Sequence, residues 1–167
     1  NNAKLAALAD ELRKIVREAA AEGLGAEDER DKRKVIIFSY FADTVHWVHG
    51  YLDQLFERDP ELAVYRGRIV SVTGSDGDRA DALFGFAPVS TKAPPGADRD
   101  RFDVLVTSDT LAEGVNLQQC RHIINLDLPW NPMRLVQRHG RIDRIGSRHD
   151  KVFIRCFFPD KQLDRLL

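Results

Sequence analysis

Four arginines between residues 134 and 144 are the side chains in this sequence best suited to chemistry. They lie on the segment 132–145, for which Asn131 and Pro132 predict the start of a helix. At about 100° per residue, one side of this helix, about 120° wide, collects Arg134, Gln137, Arg138, Arg141 and Arg144. A guanidinium keeps its charge and donates hydrogen bonds in a fixed fork. This face therefore favours an anionic partner: a phosphate, a nucleic acid or the acids of another domain.

The non-functional alternative for these arginines is a basic stripe on the surface without a specific partner. A solvated helix face usually mixes charges of both signs, as the predicted helix over residues 3–22 does. The opposite side of the 132–145 helix is apolar and is expected to face the core. It is formed by Leu135, Val136, His139 and Ile142.

Short apolar runs elsewhere predict the strands that must position this helix: residues 35–38, 69–72, 104–106, 123–126 and 152–158. Because these runs are continuously apolar and helical segments separate them, they favour a parallel sheet covered on both faces. Asp43 or Thr44 is expected to cap the helix that follows the first strand. The charged stretch 27–34 is interpreted as a linker, and residues 87–102, rich in proline, as a mobile loop.

In an open parallel sheet the working loops lie at the carboxyl ends of the strands. Here those loops are residues 39–43, 73–78, 107–116 and 127–131. Their polar side chains are therefore expected to meet beside the arginine helix.

Composition excludes several classes of protein. Apolar residues make up 43% and charged residues 31%, so global disorder is excluded. No apolar run is long enough for a membrane span. The spacing of the two cysteines fits neither a disulfide framework nor a zinc site, and this favours the reducing cytoplasm. The net charge of −1 gives no bulk signature of nucleic-acid binding. The sequence opens without a methionine, and we expect a fragment of a longer protein.

Several stretches, in order, resemble the motifs of superfamily-two helicases and translocases. Residues 137–146, QRHGRIDRIG, resemble motif VI, Q/H-R-x-G-R-x-x-R. Residues 126–132, LDLPWNP, are similar to the D-x-x-W-N-P stretch of the Snf-type branch. VIIFS (35–39) is similar to motif IV, and VTGS (72–75) is similar to the G-S loop that follows it. VLVTSD (104–109) with EGVNL (113–117) resembles motif V. Glu113 stands where many helicases have arginine, and Ser147 stands where eukaryotic remodellers have glutamine. These departures, with the long 87–102 loop, point to a bacterial branch rather than a nucleosome remodeller.

The resemblance implies the second RecA-like lobe of a two-lobe, DNA-dependent ATPase, an α/β fold with a parallel sheet sandwiched by helices. We expect residues 34–167 to form this lobe and residues 1–26 to form a helix that packs on it. Enzymes of this family generally translocate on duplex DNA without separating the strands. The partners implied are DNA, contacted through its backbone, and the N-terminal RecA-like lobe of the same protein.

Site residues follow from the motif positions. Arg141 and Arg144 are expected as arginine fingers for ATP hydrolysis, while Arg138 is expected to hold the loops of the motif. Gln137, Gly114 and Asn116 are expected at the nucleotide. The residues expected at nucleic-acid phosphates or bases are Ser39, Gly74, Ser75, Ser108 and Trp130.

The sequence lacks the other half of such an active site. No glycine is followed by lysine, so there is no phosphate-binding loop. The two Asp-Glu pairs, at residues 10–11 and 28–29, lie in the predicted first helix and in the charged 27–34 stretch rather than after a strand. ATP and Mg²⁺ are therefore expected to bind mainly to the first lobe, and the fragment alone is predicted to be inactive. The alternative is a non-catalytic RecA-like module that binds nucleic acid or protein through its arginine face. A metal site at His46, His49 and Asp53 is a weaker possibility.

Overall fold

The computed structural model describes residues 2–74, 78–109, 115–142 and 148–157. In this part of the chain, a parallel sheet has the strand order β2-β3-β1-β4-β5. Its strands are β1 (Val35–Phe38), β2 (Ile69–Val72), β3 (Val104–Thr107), β4 (His122–Asn125) and β5 (Phe153–Cys156). The parallel sheet predicted from the apolar runs is confirmed.

Helices precede the first strand or lie between strands. They are α1 (Asn2–Glu22), α2 (Ala26–Arg33), α3 (Ala42–Arg58), α4 (Arg79–Phe86) and α5 (Pro132–His139), with a 3₁₀ helix over Pro60–Tyr65. Asn131 caps α5 as predicted, because its Oδ1 accepts a hydrogen bond from the Met133 amide at 3.0 Å. The prediction that Asp43 or Thr44 caps α3 is wrong: the N-cap is Phe41, without a side-chain hydrogen bond.

Residues of β1, β2, β3 and β4 enter two separate cores, one on each face of the sheet. On one face Ile37, Val106 and Ile124 pack with α1, α3 and the 3₁₀ helix. On the other face Ile36 and Leu105 pack with α4 and with Ile142 beyond α5. Each fully buried aliphatic side chain contributes about 1.5–3 kcal/mol to folding. The continuous apolar runs are explained by this double burial.

Helix α1 belongs to the first of these cores. Its side chains Leu8, Leu12 and Ile15 are fully buried there, at the three- and four-residue spacing that predicted the helix. Lys4 near its start also donates a hydrogen bond of 2.5 Å to the carbonyl of Leu126, after β4. The helix is therefore packed on the sheet along its length.

The interpretation of residues 27–34 as a linker is wrong. Most of the stretch forms α2, and Lys34 beyond it is fully buried. Lys34 Nζ lies 2.9 Å from an Asp100 oxygen and 3.2 Å from an Asp103 oxygen. The sequence predicts that such a charged run is exposed to solvent, because the carboxylates that neutralise Lys34 lie about 70 residues further along the chain.

This ion cluster holds the amino ends of the three strands β1, β2 and β3. Arg68, before β2, donates 2.8 Å and 3.0 Å hydrogen bonds to Asp103, which precedes β3. Burial opposes ionisation of Asp103, but the hydrogen bonds from Arg68 and the charges of Lys34 and Arg33 lower its pKa overall. Breaking such a buried pair by removing one partner typically costs about 3–5 kcal/mol.

Residues 87–102 form a series of hydrogen-bonded turns. Ala93 donates to the carbonyl of Pro88, and the amides of Arg101 and Phe102 both donate to the carbonyl of Gly85. The predicted mobility of this segment stays a prediction. No helix among the described residues combines the length and apolar character that crossing a membrane requires.

Acidification is expected to destabilise the fold through His122. Burial, with Arg155 and Arg121 nearby, lowers the pKa of His122 to about 3. The neutral ring suits its partners, because Nε2 faces the Lys32 carbonyl and Nδ1 faces the Arg155 guanidinium. Between pH 6.5 and about pH 3, the unfolded chain binds a proton at His122 and the folded chain does not. The stability is therefore full above pH 6.5 and is lost as the pH falls.

Denaturant unfolding at about pH 7 and about pH 4.5 measures this effect, since both lie well above the folded-state pKa. We expect His122→Gln to be less stable than the wild type at neutral pH but to lose less stability on acidification. The exposed His46 offers a matched control, and His46→Gln is expected to keep the wild-type dependence. Equal pH dependence in His122→Gln and the wild type would contradict the assignment.

Limited trypsin digestion tests the mobility of residues 87–102. If the segment is mobile, the first cut is expected at Lys92, in an exposed part of the turns between two prolines. Mass spectrometry of the early fragments identifies the cut. A segment that stays intact while other sites are cut would mean that its turns hold it rigidly.

Candidate functional site

The candidate site lies at the carboxyl edge of the sheet, between β1 and β4. The chain leaves β1 for α3 on one face, whereas it leaves β4 for α5, whose continuation at Ile142 packs on the other face. Neighbouring strands whose connections diverge in this way leave a crevice outside their carboxyl ends, where ligands bind in open α/β sheets. The predicted loops after β1, β3 and β4 meet there.

Arg138 is the centre of this edge. It is only 2% exposed, and its Nη2 donates a 2.8 Å hydrogen bond to one Asp109 oxygen while Nε donates to the other. Its Nη1 donates 3.1 Å bonds to the side chain of Asn125 and to the carbonyl of Asp127. The guanidinium also lies 5.3 Å from the ring centre of Phe38. Arg138 thus joins α5 to the ends of β1, β3 and β4, which confirms the prediction that it holds the loops.

Asp127 joins the remaining loop. It accepts a 2.6 Å hydrogen bond from the Ser39 hydroxyl and a 2.8 Å bond from the amide of Tyr40. The same carboxylate lies 3.5 Å from the Arg138 Nη2. Sequence reasoning assigned no role to Asp109 or Asp127, although each follows a buried strand within a predicted working loop. That position was the signal that could have found them.

The exposed arginine face predicted for residues 132–145 is not formed by the described residues. Helix α5 ends at His139, so the helical wheel does not extend to Arg141, and Arg138 points into the lobe. Val136, predicted to be buried, is 62% exposed. The reason is that two aspartates at the strand ends pair with Arg138 inside. A periodicity argument places any arginine outside because it does not include such partners.

Arg141 lies in the turn after α5 and is 8% exposed. Its carbonyl accepts a 3.0 Å hydrogen bond from the amide of Leu117, and its amide donates to the carbonyl of Arg138 at 3.3 Å. The backbone at Arg141 is therefore fixed between the segment after β3 and the Arg138 cluster. Two stretches assigned to motifs V and VI are in direct contact here.

The predicted nucleotide-contacting residues are only partly described. Gly114 and Arg144 lie outside the described residues. Gln137 is exposed on α5. Asn116 accepts hydrogen bonds within its own lobe, from the Gln118 amide at its side-chain oxygen and from the Ser90 hydroxyl at its carbonyl. Contacts of these residues with a nucleotide stay predictions.

The predicted nucleic-acid contacts differ in exposure. Trp130 is 91% exposed and Gly74 is also exposed, whereas Ser108 is buried, and Ser75 lies outside the described residues. Ser39 is buried too, with its hydroxyl donating to Asp127 and its amide donating to the Thr107 carbonyl. The structure thus brings the loops together but presents their side chains unequally.

Metal binding finds little support in the described part of the chain. No group of three or more histidine, cysteine, aspartate or glutamate residues there is arranged to hold a metal ion. His49 instead shares a 2.8 Å hydrogen bond with the Ser71 hydroxyl, and burial lowers its pKa. Asp109 and Asp127 are both engaged by Arg138, so they are not placed as magnesium ligands.

Comparison with known proteins supplies close relatives for parts of the chain. It is 56% identical over 52 residues to the uncharacterized ATP-dependent helicase YqhH of Bacillus subtilis, a stretch that is 31% of this chain and 9% of YqhH. It is 46% identical over 73 residues to the RNA polymerase-associated protein RapA of Serratia proteamaculans, covering 44% of this chain and 6% of RapA. The mitochondrial ATP-dependent RNA helicase MRH4 of Scheffersomyces stipitis is 29% identical over 156 residues, 92% of this chain and 24% of MRH4. The chain thus spans less than a quarter of the length of these relatives.

Solved structures share the fold. The C-terminal part of the Fun30 ATPase domain matches 98% of this chain and 43% of its own, with a TM-score of 0.64 and 19% identity. Domain 2 of the DEAD-box helicase Mss116p, solved with an RNA duplex, matches 96% of this chain and 52% of its own, with a TM-score of 0.63 and 17% identity. The predicted RecA-like fold is confirmed.

The helicase conserved C-terminal domain family matches residues 7–146, which include most of α1 and all the strands except β5. With its parallel sheet and its arginine cluster at the carboxyl edge, the chain belongs to the helicase conserved C-terminal domain family of the superfamily-two helicases.

Proposed function

We propose that this chain is the second lobe of a DNA-dependent ATPase and translocase of the Snf-type branch, acting in the bacterial cytoplasm. Arg141 and Arg144 are its arginine fingers, and the first lobe supplies the phosphate-binding loop and the magnesium-binding acids. The order of the motifs and the similarity to RapA support the branch. The two free cysteines support a reducing compartment.

The fixed position of Arg141 carries the proposal. Three residues earlier, Arg138 is clamped by Asp109 and Asp127, and the carbonyl of Arg141 itself is bonded to Leu117. An arginine that stabilises the charge of a transferring phosphoryl group must be held in place, because catalysis of this transfer depends on positioning and electrostatics. Arg138 does the holding here, and Arg141, the next arginine of the motif, is the residue proposed to meet the nucleotide.

This edge of the sheet can supply partners for the phosphates of ATP but not ligands for Mg²⁺. A guanidinium is the right partner for the γ-phosphate, and Arg141 and Arg144 can supply it. The carboxylates at this edge are already neutralised by Arg138, so the metal ligands come from the first lobe. Arg141 is largely buried, so the finger role requires its side chain to turn outward from a fixed backbone when the lobes close on the nucleotide.

Duplex DNA is the proposed nucleic-acid partner. The LDLPWNP stretch of the Snf-type branch favours DNA over RNA, although the relative MRH4 is an RNA helicase. Trp130 and Gly74 are exposed and accessible to a ligand, and Ser75 and Ser108 complete the proposed set. The Ser39 hydroxyl must exchange Asp127 for a phosphate to take part. Contacts of this kind position the DNA backbone without reading its sequence.

The alternative, a non-catalytic module that binds nucleic acid or protein, is the conclusion if the test of the ATPase proposal fails. It depended on an exposed arginine face, and among the described arginines of that face only Arg134 is exposed. Total positive charge on α5 is thus a poor basis for binding.

Replacing Arg141 tests the finger assignment. In the full-length protein, Arg141→Ala is expected to lower DNA-stimulated ATP turnover by about 10³–10⁵-fold, because the charge on the transferring phosphoryl group loses its partner. DNA affinity is expected to stay near that of the wild type. Steady-state hydrolysis and fluorescence anisotropy with duplex DNA measure the two quantities.

Arg134→Ala is the matched control, since it removes the same charge from the exposed side of α5 and is expected to keep turnover. Turnover like the wild type in Arg141→Ala would contradict the assignment, and a wild-type protein that binds DNA without hydrolysing ATP would support the non-catalytic module.

Arg138 is expected to act on stability instead. Arg138→Ala leaves Asp109 buried without its partner, which typically costs about 3–5 kcal/mol. The free energy of unfolding, measured with denaturant, is expected to fall by that amount, and Arg138→Lys is expected to recover part of it. If Arg138→Ala were as stable as the wild type, the clamp would not hold the lobe together.

A further inference from the structure

Two hydrogen-bond donors at the end of β1 converge on a single carboxylate. The Ser39 hydroxyl donates to Oδ2 of Asp127 at 2.6 Å, and the Tyr40 amide donates to Oδ1 at 2.8 Å. The amide of Phe41 in turn donates to the Ser39 Oγ at 3.2 Å. This bond uses the hydroxyl as an acceptor on one side, while its proton points at Asp127 on the other. The turn after β1 is therefore shaped to bind an anion with two oxygens.

A phosphate suits these donors as well as a carboxylate does. Both anions offer paired oxygens, and hydrogen bonds to an ionised acceptor are about twice as strong as neutral ones. Serine hydroxyls and backbone amides are among the groups that bind the phosphates of DNA. Because the Ser39 hydroxyl has one proton, a phosphate can accept it only when Asp127 releases it. Asp127 and a DNA phosphate thus compete for the same site.

Asp127 also contacts Arg138, but its carboxylate is not hydrogen-bonded there. Its carbonyl accepts a 3.1 Å bond from Nη1 of Arg138, which holds the backbone in place. Its Oδ1 lies 3.5 Å from Nη2, an ion pair longer than a normal hydrogen bond. Nη2 carries two protons, and one of them is donated to Asp109 at 2.8 Å. A carboxylate that leaves the donors after β1 can accept the other.

We propose that the Asp127 carboxylate occupies the place of a DNA phosphate on the donors of Ser39 and Tyr40. When DNA takes this place, the carboxylate moves onto Nη2 of Arg138 and tightens the clamp. The inference rests on the proposed function, in which Ser39 contacts the DNA backbone. Asp127 is a positioning residue, because it acts through Arg138. The Arg141 amide is bonded to the Arg138 carbonyl at 3.3 Å, so contacts between described residues lead from the DNA site to the finger.

This exchange couples DNA binding to ATP turnover. Before DNA binds, Asp127 gives its hydrogen bonds to the turn after β1, and afterwards it is a full partner of Arg138. Asp127 therefore opposes DNA binding but supports the stimulation of turnover by DNA. Coupling of equilibrium binding is reciprocal, so an ATP analogue that favours the tightened clamp also favours bound DNA.

Asp127→Asn in the full-length protein tests both halves of the proposal. A neutral amide competes less well with a phosphate, so the Kd for duplex DNA is expected to fall by about tenfold. Stimulation of turnover by saturating DNA is expected to fall by about fivefold or more, because the amide gives Arg138 no ion pair. Fluorescence anisotropy at about 0.15 M salt and steady-state hydrolysis with and without DNA measure the two quantities.

Asp43→Asn is the matched control for the loss of a negative charge. Asp43 is exposed in the first turn of α3, four residues after Ser39. Exposed charges are screened over about 8 Å at this salt concentration, so the Kd for DNA is expected to stay within about twofold of the wild type. Stimulation of turnover by DNA is expected to be unchanged.

Asp127→Glu separates the charge from the fit. It keeps the carboxylate but adds one methylene to a backbone that Arg138 holds, so the side chain no longer fits both donors after β1. This variant is expected to bind DNA more tightly than the wild type and to keep more of the stimulation than Asp127→Asn does.

A purely structural role for Asp127 predicts a different pattern, in which stability, DNA affinity and turnover fall together. A Kd in Asp127→Asn that equals or exceeds that of Asp43→Asn would overturn the competition with phosphate. Tighter DNA binding with undiminished stimulation would overturn the transfer to Arg138. If Asp127→Asn does not fold, Asp127→Glu decides, and a Kd no lower than that of the wild type overturns the proposal.

The wild type and Arg141→Ala, assayed in parallel, separate this inference from the proposed function. If DNA stimulates the wild type and Arg141→Ala abolishes turnover, while Asp127→Asn behaves like Asp43→Asn, only the exchange fails. If DNA does not stimulate the wild type, the proposed function itself fails, and the exchange fails with it.

Discussion

The ion pairs of Arg138 with Asp109 and Asp127 are the interaction on which the carboxyl edge of this lobe depends. Through them, one buried guanidinium connects three loops that come after three different strands. A buried cation of this kind costs several kcal/mol in desolvation, and only saturated, well-oriented acceptors offset that cost. The loops therefore have little freedom to rearrange while Arg138 stays inside, and the turn that carries Arg141 is built on this arrangement.

Buried ion pairs also hold the amino edge of the sheet. Lys34, Arg68 and Asp103 stand just before strands β1, β2 and β3, and their mutual pairing aligns the strand starts. The sheet is thus fixed by buried ion pairs at both edges and by two apolar cores on its faces. Only the carboxyl edge leads into the arginine motif, because there the chain passes from β4 through the exposed Trp130 into α5.

Sequence alone was sufficient for the strands, the parallel sheet and the motif positions, because double burial and the motif spacings are local signals. It failed where long-range pairing decides. Most of residues 27–34 form α2, which leads into the buried Lys34, and Arg138 turns inward. Carboxylates elsewhere in the chain neutralise both of these cations. Asn131 and Pro132 predicted the start of α5 correctly, while its end at His139 depends on the tertiary bonds of Arg138 and Arg141.

A structure of the full-length protein with a non-hydrolysable ATP analogue, Mg²⁺ and duplex DNA tests the central claim most directly. We expect the Arg141 guanidinium at about 3 Å from an oxygen of the γ-phosphate, with Arg138 still paired to Asp109 and Asp127. A closed complex in which Arg141 stays packed in its own lobe, or in which Arg138 leaves the aspartates to bind the phosphate, would contradict it.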